Sequence, residues 1–232
     1  MFWRILLFFL VAIINLVMEI FWPASFYEMG SKLLLMPLLW WAHSHEPVWA
    51  KKLMWPIALA WLGDICMLYD DAYGYGLWGL AAGATFFGLM QLIYLYYLWP
   101  FRKLMVNRPI FWPFILFWLL VQAVFLGLAQ IYLEENSYMI SFILFYSGSQ
   151  LAMVFFALWL LLGSAIRPGI LIGSILFVVT DLIIGFATFV VPMVHDQDFW
   201  VMLSYILAQW LIVNGFWQQW QQAAQPSLPA KP

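Results

Sequence analysis

Two aspartates, Asp64 and Asp181, stand inside long apolar runs of this 232-residue chain, and their chemistry most needs an explanation. An ionisable group in a membrane segment costs roughly 2.5–3.5 kcal/mol on insertion scales, so its presence points to a site. Asp64 lies eleven residues after Leu53, and Asp181 eleven after Ile170, where their runs begin. At about 1.5 Å per helical residue each carboxyl is ~16 Å deep, near the midplane of a core about 30 Å thick. Gln209, ten residues into a run entering from the other face, reaches a similar depth. Two carboxyls and an amide at one depth, on three helices, predict a polar chamber inside a bundle. Two carboxyl groups crowded in low dielectric share one proton, which supplies an acid and a base together. The plainer alternative is that each aspartate only hydrogen-bonds a neighbouring helix.

Asn15 and Glu19 are four residues apart, so they share one helix face. Lys32 lies toward the same end of the bundle, where an ion pair with Glu19 would account for it. Its functional reading is an anchor for an anionic group, such as a phosphate, beside the chamber. His43 and His45 form an H-x-H at one membrane face and His195 belongs to the other, which disfavours a histidine-ligated catalytic zinc. Solvation in loops is the expectation for all three. Cys66, two positions after Asp64, points about 200° away around the helix and reads as packing. No Gly-rich phosphate loop and no G-x-S-x-G elbow is present. The residues call for no metal and no cofactor.

The elements that must position these groups follow from composition. Apolar residues make up 66% of the chain and charged ones 9%, against roughly 45–50% and about 25% in soluble domains. That balance excludes a soluble enzyme domain. One cysteine excludes a disulfide scaffold, and nine Lys+Arg against eleven Asp+Glu exclude a nucleic-acid binder. The expected fold is all-α: a polytopic membrane protein with eight transmembrane helices in a single domain, residues 1–220, and a short disordered tail, 221–232. The spans are placed at Phe2–Trp22, Tyr27–Ala42, Leu53–Tyr69, Leu77–Trp99, Ile110–Tyr132, Tyr138–Leu162, Ile170–Val191 and Phe199–Trp220. The first run is read as a retained helix, being too long for a leader's apolar region. Eight of nine basic residues then fall on one side, Lys32 being the exception, while Glu28, Asp70, Asp71, Glu134, Glu135, Asp196 and Asp198 fall on the other. The positive-inside rule makes both termini cytoplasmic. Asp64 and Asp181 are 117 residues apart, while Gln91 and Gln209, and likewise Ser31-Lys32-Leu33 and Ser149-Gln150-Leu151, are 118 apart. These matches suggest a parallel repeat of four plus four helices.

The polar pattern resembles that of the YhhN-type lysoplasmalogenases, eight-helix integral membrane hydrolases. The similar pieces are Ser31-Lys32-Leu33-Leu34-Leu35-Met36-Pro37, Ala58-Leu59-Ala60-Trp61-Leu62-Gly63-Asp64, Tyr94, Gly173 to Asp181, and Tyr205-Ile206-Leu207-Ala208-Gln209-Trp210-Leu211-Ile212. Three positions depart from the family pattern: Leu33 replaces a proline, Gln91 a histidine and Thr180 a serine. The resemblance implies hydrolysis of the vinyl ether bond of a lysoplasmalogen, giving a fatty aldehyde and a glycerophospho-headgroup. Asp64 and Asp181 would be catalytic. Lys32, Tyr94, Gln91, Tyr205, Gln209, Thr180, Asn15 and Glu19 would line the substrate site, with Lys32 on the phosphate.

Carboxyl chemistry suits that bond. A vinyl ether is hydrolysed by protonating its carbon, and water then attacks the oxocarbenium ion, so one acid and one carboxylate suffice. The expected partners are a lysophospholipid and membrane lipids, with no nucleic acid, in the inner membrane of a bacterium. Midplane aspartates equally suit a proton-coupled small transporter or lipid carrier, and a scaffold with buried helix ties is a third reading.

Overall fold

Apolar runs and polar breaks become helices and turns. The computed structural model describes residues 2–23, 25–73, 77–104, 137–163, 165–189 and 197–224, with scattered positions between 112 and 127. Among the described residues the elements are α1 (Phe2–Phe21), α2 (Phe26–His43), α3 (Pro47–Tyr73), α4 (Leu77–Leu98), a 3-10 helix (Trp99–Leu104), α5 (Ser137–Leu162), α6 (Pro168–Phe189) and α7 (Gln197–Ala224). There is no strand among them. The last three helices are the expected sixth, seventh and eighth spans. Most of the expected fifth, Ile110–Tyr132, lies outside the described residues, as do residues 225–232 of the expected tail. Five stretches are long and apolar enough to cross a membrane: Phe2–Phe21, Trp78–Arg102, Leu144–Leu162, Pro168–Gly185 and Gln197–Ala223. The described residues are all-helical, and the chain is an integral membrane protein.

Several boundaries differ from expectation. α3 starts at Pro47 rather than Leu53, because proline at a first helical position loses no hydrogen bond. Hydropathy marks where the chain turns apolar, whereas the helix begins before that. α7 runs to Ala224, so the tail's first residues are helical.

Local chemistry explains how α2 is held. Ser25 caps it, accepting from the Glu28 amide at 3.1 Å in an S-x-x-E sequence. At its other end Arg4 donates to the Trp41 carbonyl and to Ser44 Oγ, and its guanidinium lies 4.9 Å from the centre of the Trp41 ring. Pro37 inside α2 cannot bond the Leu33 carbonyl. The Trp61 indole on α3 donates to that oxygen at 2.9 Å. Pro56 inside α3 similarly frees the Lys52 carbonyl, which takes the Tyr97 hydroxyl of α4 at 2.8 Å. Each proline therefore opens a backbone acceptor that the neighbouring helix fills.

Consecutive helices pack along the chain from α1 to α4, α4 meets α5, and α7 closes the bundle against α1, α2 and α3. The closest approach is between α6 and α7. A Cβ on Gly173 would lie 2.8 Å from the Ala208 carbonyl oxygen and 2.9 Å from the Ile212 nitrogen. Small residues let membrane helices pack backbone to backbone. This contact sets Tyr205 and Gln209 of α7 beside the aspartate-bearing helices.

Candidate active site

Asp64 is central in α3 and 5% exposed. Tyr205, brought across by α7, donates its hydroxyl to Oδ2 of Asp64 at 2.9 Å. Asp181 on α6 is half-buried and receives donors from α5 instead. Tyr146 Oη donates to its Oδ2 at 2.7 Å, and Gln150 Nε2 donates to the same oxygen. The two tyrosines meet through Phe87, whose ring centre is 6.5 Å from that of Tyr146 and 5.9 Å from that of Tyr205. Phe177 packs edge-on to both Phe87 and Tyr205. Each carboxyl thus has its own hydroxyl donor, and an aromatic cluster joins the two stations.

A charged cluster joins α1 to α2. Lys32 Nζ lies 3.9 Å from Glu19 and 3.8 Å from Glu28. The Glu19–Lys32 pair expected from sequence is present. Glu28, one turn before Lys32, is a second partner that the sequence reading missed. It is buried, and its carboxylate turns to the lysine. Asn15 stands one turn from Glu19 and binds α1 to α2, its Nδ2 donating to Ser31 Oγ at 3.1 Å.

The remaining polar residues divide into two groups. Gln91, Tyr94 and Gln209 are wholly buried between α4 and α7. Neither amide atom of Gln91, nor the Tyr94 hydroxyl, nor Gln209 Oε1 has a hydrogen-bond partner among the described residues. Gln209 Nε2 donates to the Met90 sulfur at 3.4 Å. Buried groups left in this state are costly, and Gln209 is one turn from Tyr205. Thr180, by contrast, is occupied: its hydroxyl bonds the Leu176 carbonyl and Ser204 Oγ, tying α6 to α7.

His43 corrects an expectation. It is fully buried rather than solvated in a loop, with Nδ1 3.0 Å from the Leu39 carbonyl and its ring between those of Trp210 and Trp217. α2 extends one residue past its expected end and α7 covers it. His45 is exposed, as expected, and His195 lies outside the described residues.

Tyr146 and Gln150 were also missed. An ionisable residue in an apolar run attracts notice, whereas a tyrosine or glutamine does not. The signal was the repeat spacing, since Gln150 is 118 residues after Lys32.

No curated protein and no solved structure matches the chain. The model of the YhhN family matches residues 27–216, from the start of α2 to within α7, and so covers both aspartates and every residue that contacts them. The chain belongs to the YhhN family.

Proposed function

We propose that the protein hydrolyses the vinyl ether bond of lysoplasmalogens from within the membrane, using Asp64 and Asp181. Family membership supports the reaction class, and one observation carries the residue assignment. Each aspartate has Oδ2 held by a tyrosine hydroxyl, an arrangement that fixes the carboxyl and turns its other oxygen toward chemistry. One aspartate gives its proton to the vinyl carbon beyond the ether-bearing one, forming an oxocarbenium ion. The other takes a proton from water as the water oxygen bonds to that cation. The hemiacetal then collapses: its hydroxyl proton returns to the first aspartate, and the second protonates the departing ether oxygen. One water is consumed, and a fatty aldehyde and a glycerophospho-headgroup leave. Lys32 anchors the phosphate, while Gln91, Tyr94 and Gln209, with unpartnered polar atoms, receive water or the ether oxygen. Eight spans, a four-plus-four repeat, cytoplasmic termini and a bacterial inner-membrane location complete the reading.

The test is aldehyde release from a 1-alkenyl lysophospholipid by purified protein. Asp64→Asn and Asp181→Asn should each abolish it while leaving the protein folded, since asparagine keeps volume and hydrogen bonding but delivers no proton. The double variant should be little worse than either, because residues acting as a unit are non-additive. Near-full release by both folded single variants would end the two-aspartate assignment.

A further inference from the structure

Two donors converge on one oxygen of Asp181. Tyr146 Oη is 2.7 Å from Oδ2, and Gln150 Nε2 bonds the same atom. Both residues lie on α5, four positions apart, so one face of that helix is given to this carboxyl. Asp64 differs: among the described residues one hydroxyl, from Tyr205, holds its Oδ2. The spacing makes this asymmetry legible. Gln150 follows Lys32 by 118 residues, Tyr146 follows Glu28 by 118, and Asp181 follows Asp64 by 117. Equivalent places in the two halves thus hold an ion pair, Lys32 with Glu28, in one and neutral donors to an aspartate in the other.

We propose that Tyr146 and Gln150 are positioning residues that fix Asp181 as the proton acceptor of the pair, leaving Asp64 as the donor. This rests on the two-aspartate reading above. A carboxyl whose Oδ2 already accepts from two donors has only Oδ1 to present, and donors converging on it favour the form that only accepts. Asp64, with a single hydroxyl partner among the described residues, keeps an oxygen that can carry the proton bound for the vinyl carbon. Asp181 Oδ1 then takes the proton from water as the carbon–oxygen bond forms, and passes it to the ether oxygen as that bond breaks.

Three measurements on the full chain in detergent test this. Tyr146→Phe and Gln150→Leu should each lower kcat about tenfold, the worth of one hydrogen bond, with KM within about twofold. A lower melting temperature with wild-type kcat in the folded fraction would make the pair a mere tie between α5 and α6 and overturn the proposal. In heavy water, Asp181→Asn should exchange deuterium into the vinyl carbon of unhydrolysed substrate, because Asp64 still protonates and the cation returns. Asp64→Asn should not, and exchange in that variant alone would reverse the assignment. If wild-type protein releases no aldehyde, the proposed function fails on its own. The positioning claim is then read from the infrared carboxyl band that Asp181→Asn removes: it should shift in Tyr146→Phe and Gln150→Leu, and an unmoved band would refute it.

Discussion

Replacing Lys32 by methionine removes the cation from between two carboxylates whose side chains are 4% and 5% exposed. At separations of 3.9 and 3.8 Å, each attraction is about 4 kcal/mol at an effective dielectric of about 20. Desolvation offsets much of that in the intact protein. It does not help the variant, where Glu19 and Glu28 stay buried without a cation. Breaking a buried pair from one side costs about 3–5 kcal/mol, so the melting temperature in detergent should fall on the order of 10 °C. Glu19→Gln and Glu28→Gln added to Lys32→Met should restore most of this loss, because nothing charged is then stranded. The assay is thermal unfolding of all three proteins, followed by KM on 1-alkenyl lysophospholipid. A Lys32→Met protein that melts within about 2 °C of wild type would refute the reasoning. A triple variant that regains stability but keeps a raised KM separates the phosphate anchor from the structural pair.

Three further outcomes are expected. Gly173→Ala should destabilise by about 1–3 kcal/mol, since its Cβ meets the backbone of α7; Gly185→Ala, with no described atom within 4 Å, should melt at or above wild type. Trp61→Phe should cost about 1–2 kcal/mol by stranding the Leu33 carbonyl, and Pro37→Ala added to it should recover part of this, as measured by melting. A reporter after the C-terminus or in the 102–108 segment should be cytoplasmic and one near Glu134 external; a cytoplasmic Glu134 reporter would sink the eight-span arrangement.

Charge and hydropathy made most of this architecture legible. An aspartate in an apolar run is visible from its cost alone, so Asp64 and Asp181 were found without contacts. A lysine on the wrong side of a clean charge pattern pointed to its partner, and Glu19 is there. What stayed hidden depends on non-local cover. Glu28 sorts with loop acids by position, yet the chain from Phe26 is already helical and buries it against Lys32. His43 reads as a loop residue because a proline follows soon after, while α7, more than 160 positions later, supplies the Trp210 and Trp217 rings that cover it. Tyr146 and Gln150 carry no charge, and nothing in their own segment says which helix they face.

The carbonyls released by Pro37 and Pro56 have an evolutionary consequence. Each is a lock whose key lies on another helix: Trp61 for Leu33, Tyr97 for Lys52. Losing the proline returns the oxygen to its own helix and leaves the key without a keyhole; losing the key strands the oxygen. Across the YhhN family, position 37 should therefore covary with 61, and 56 with 97, each pair being kept or exchanged together.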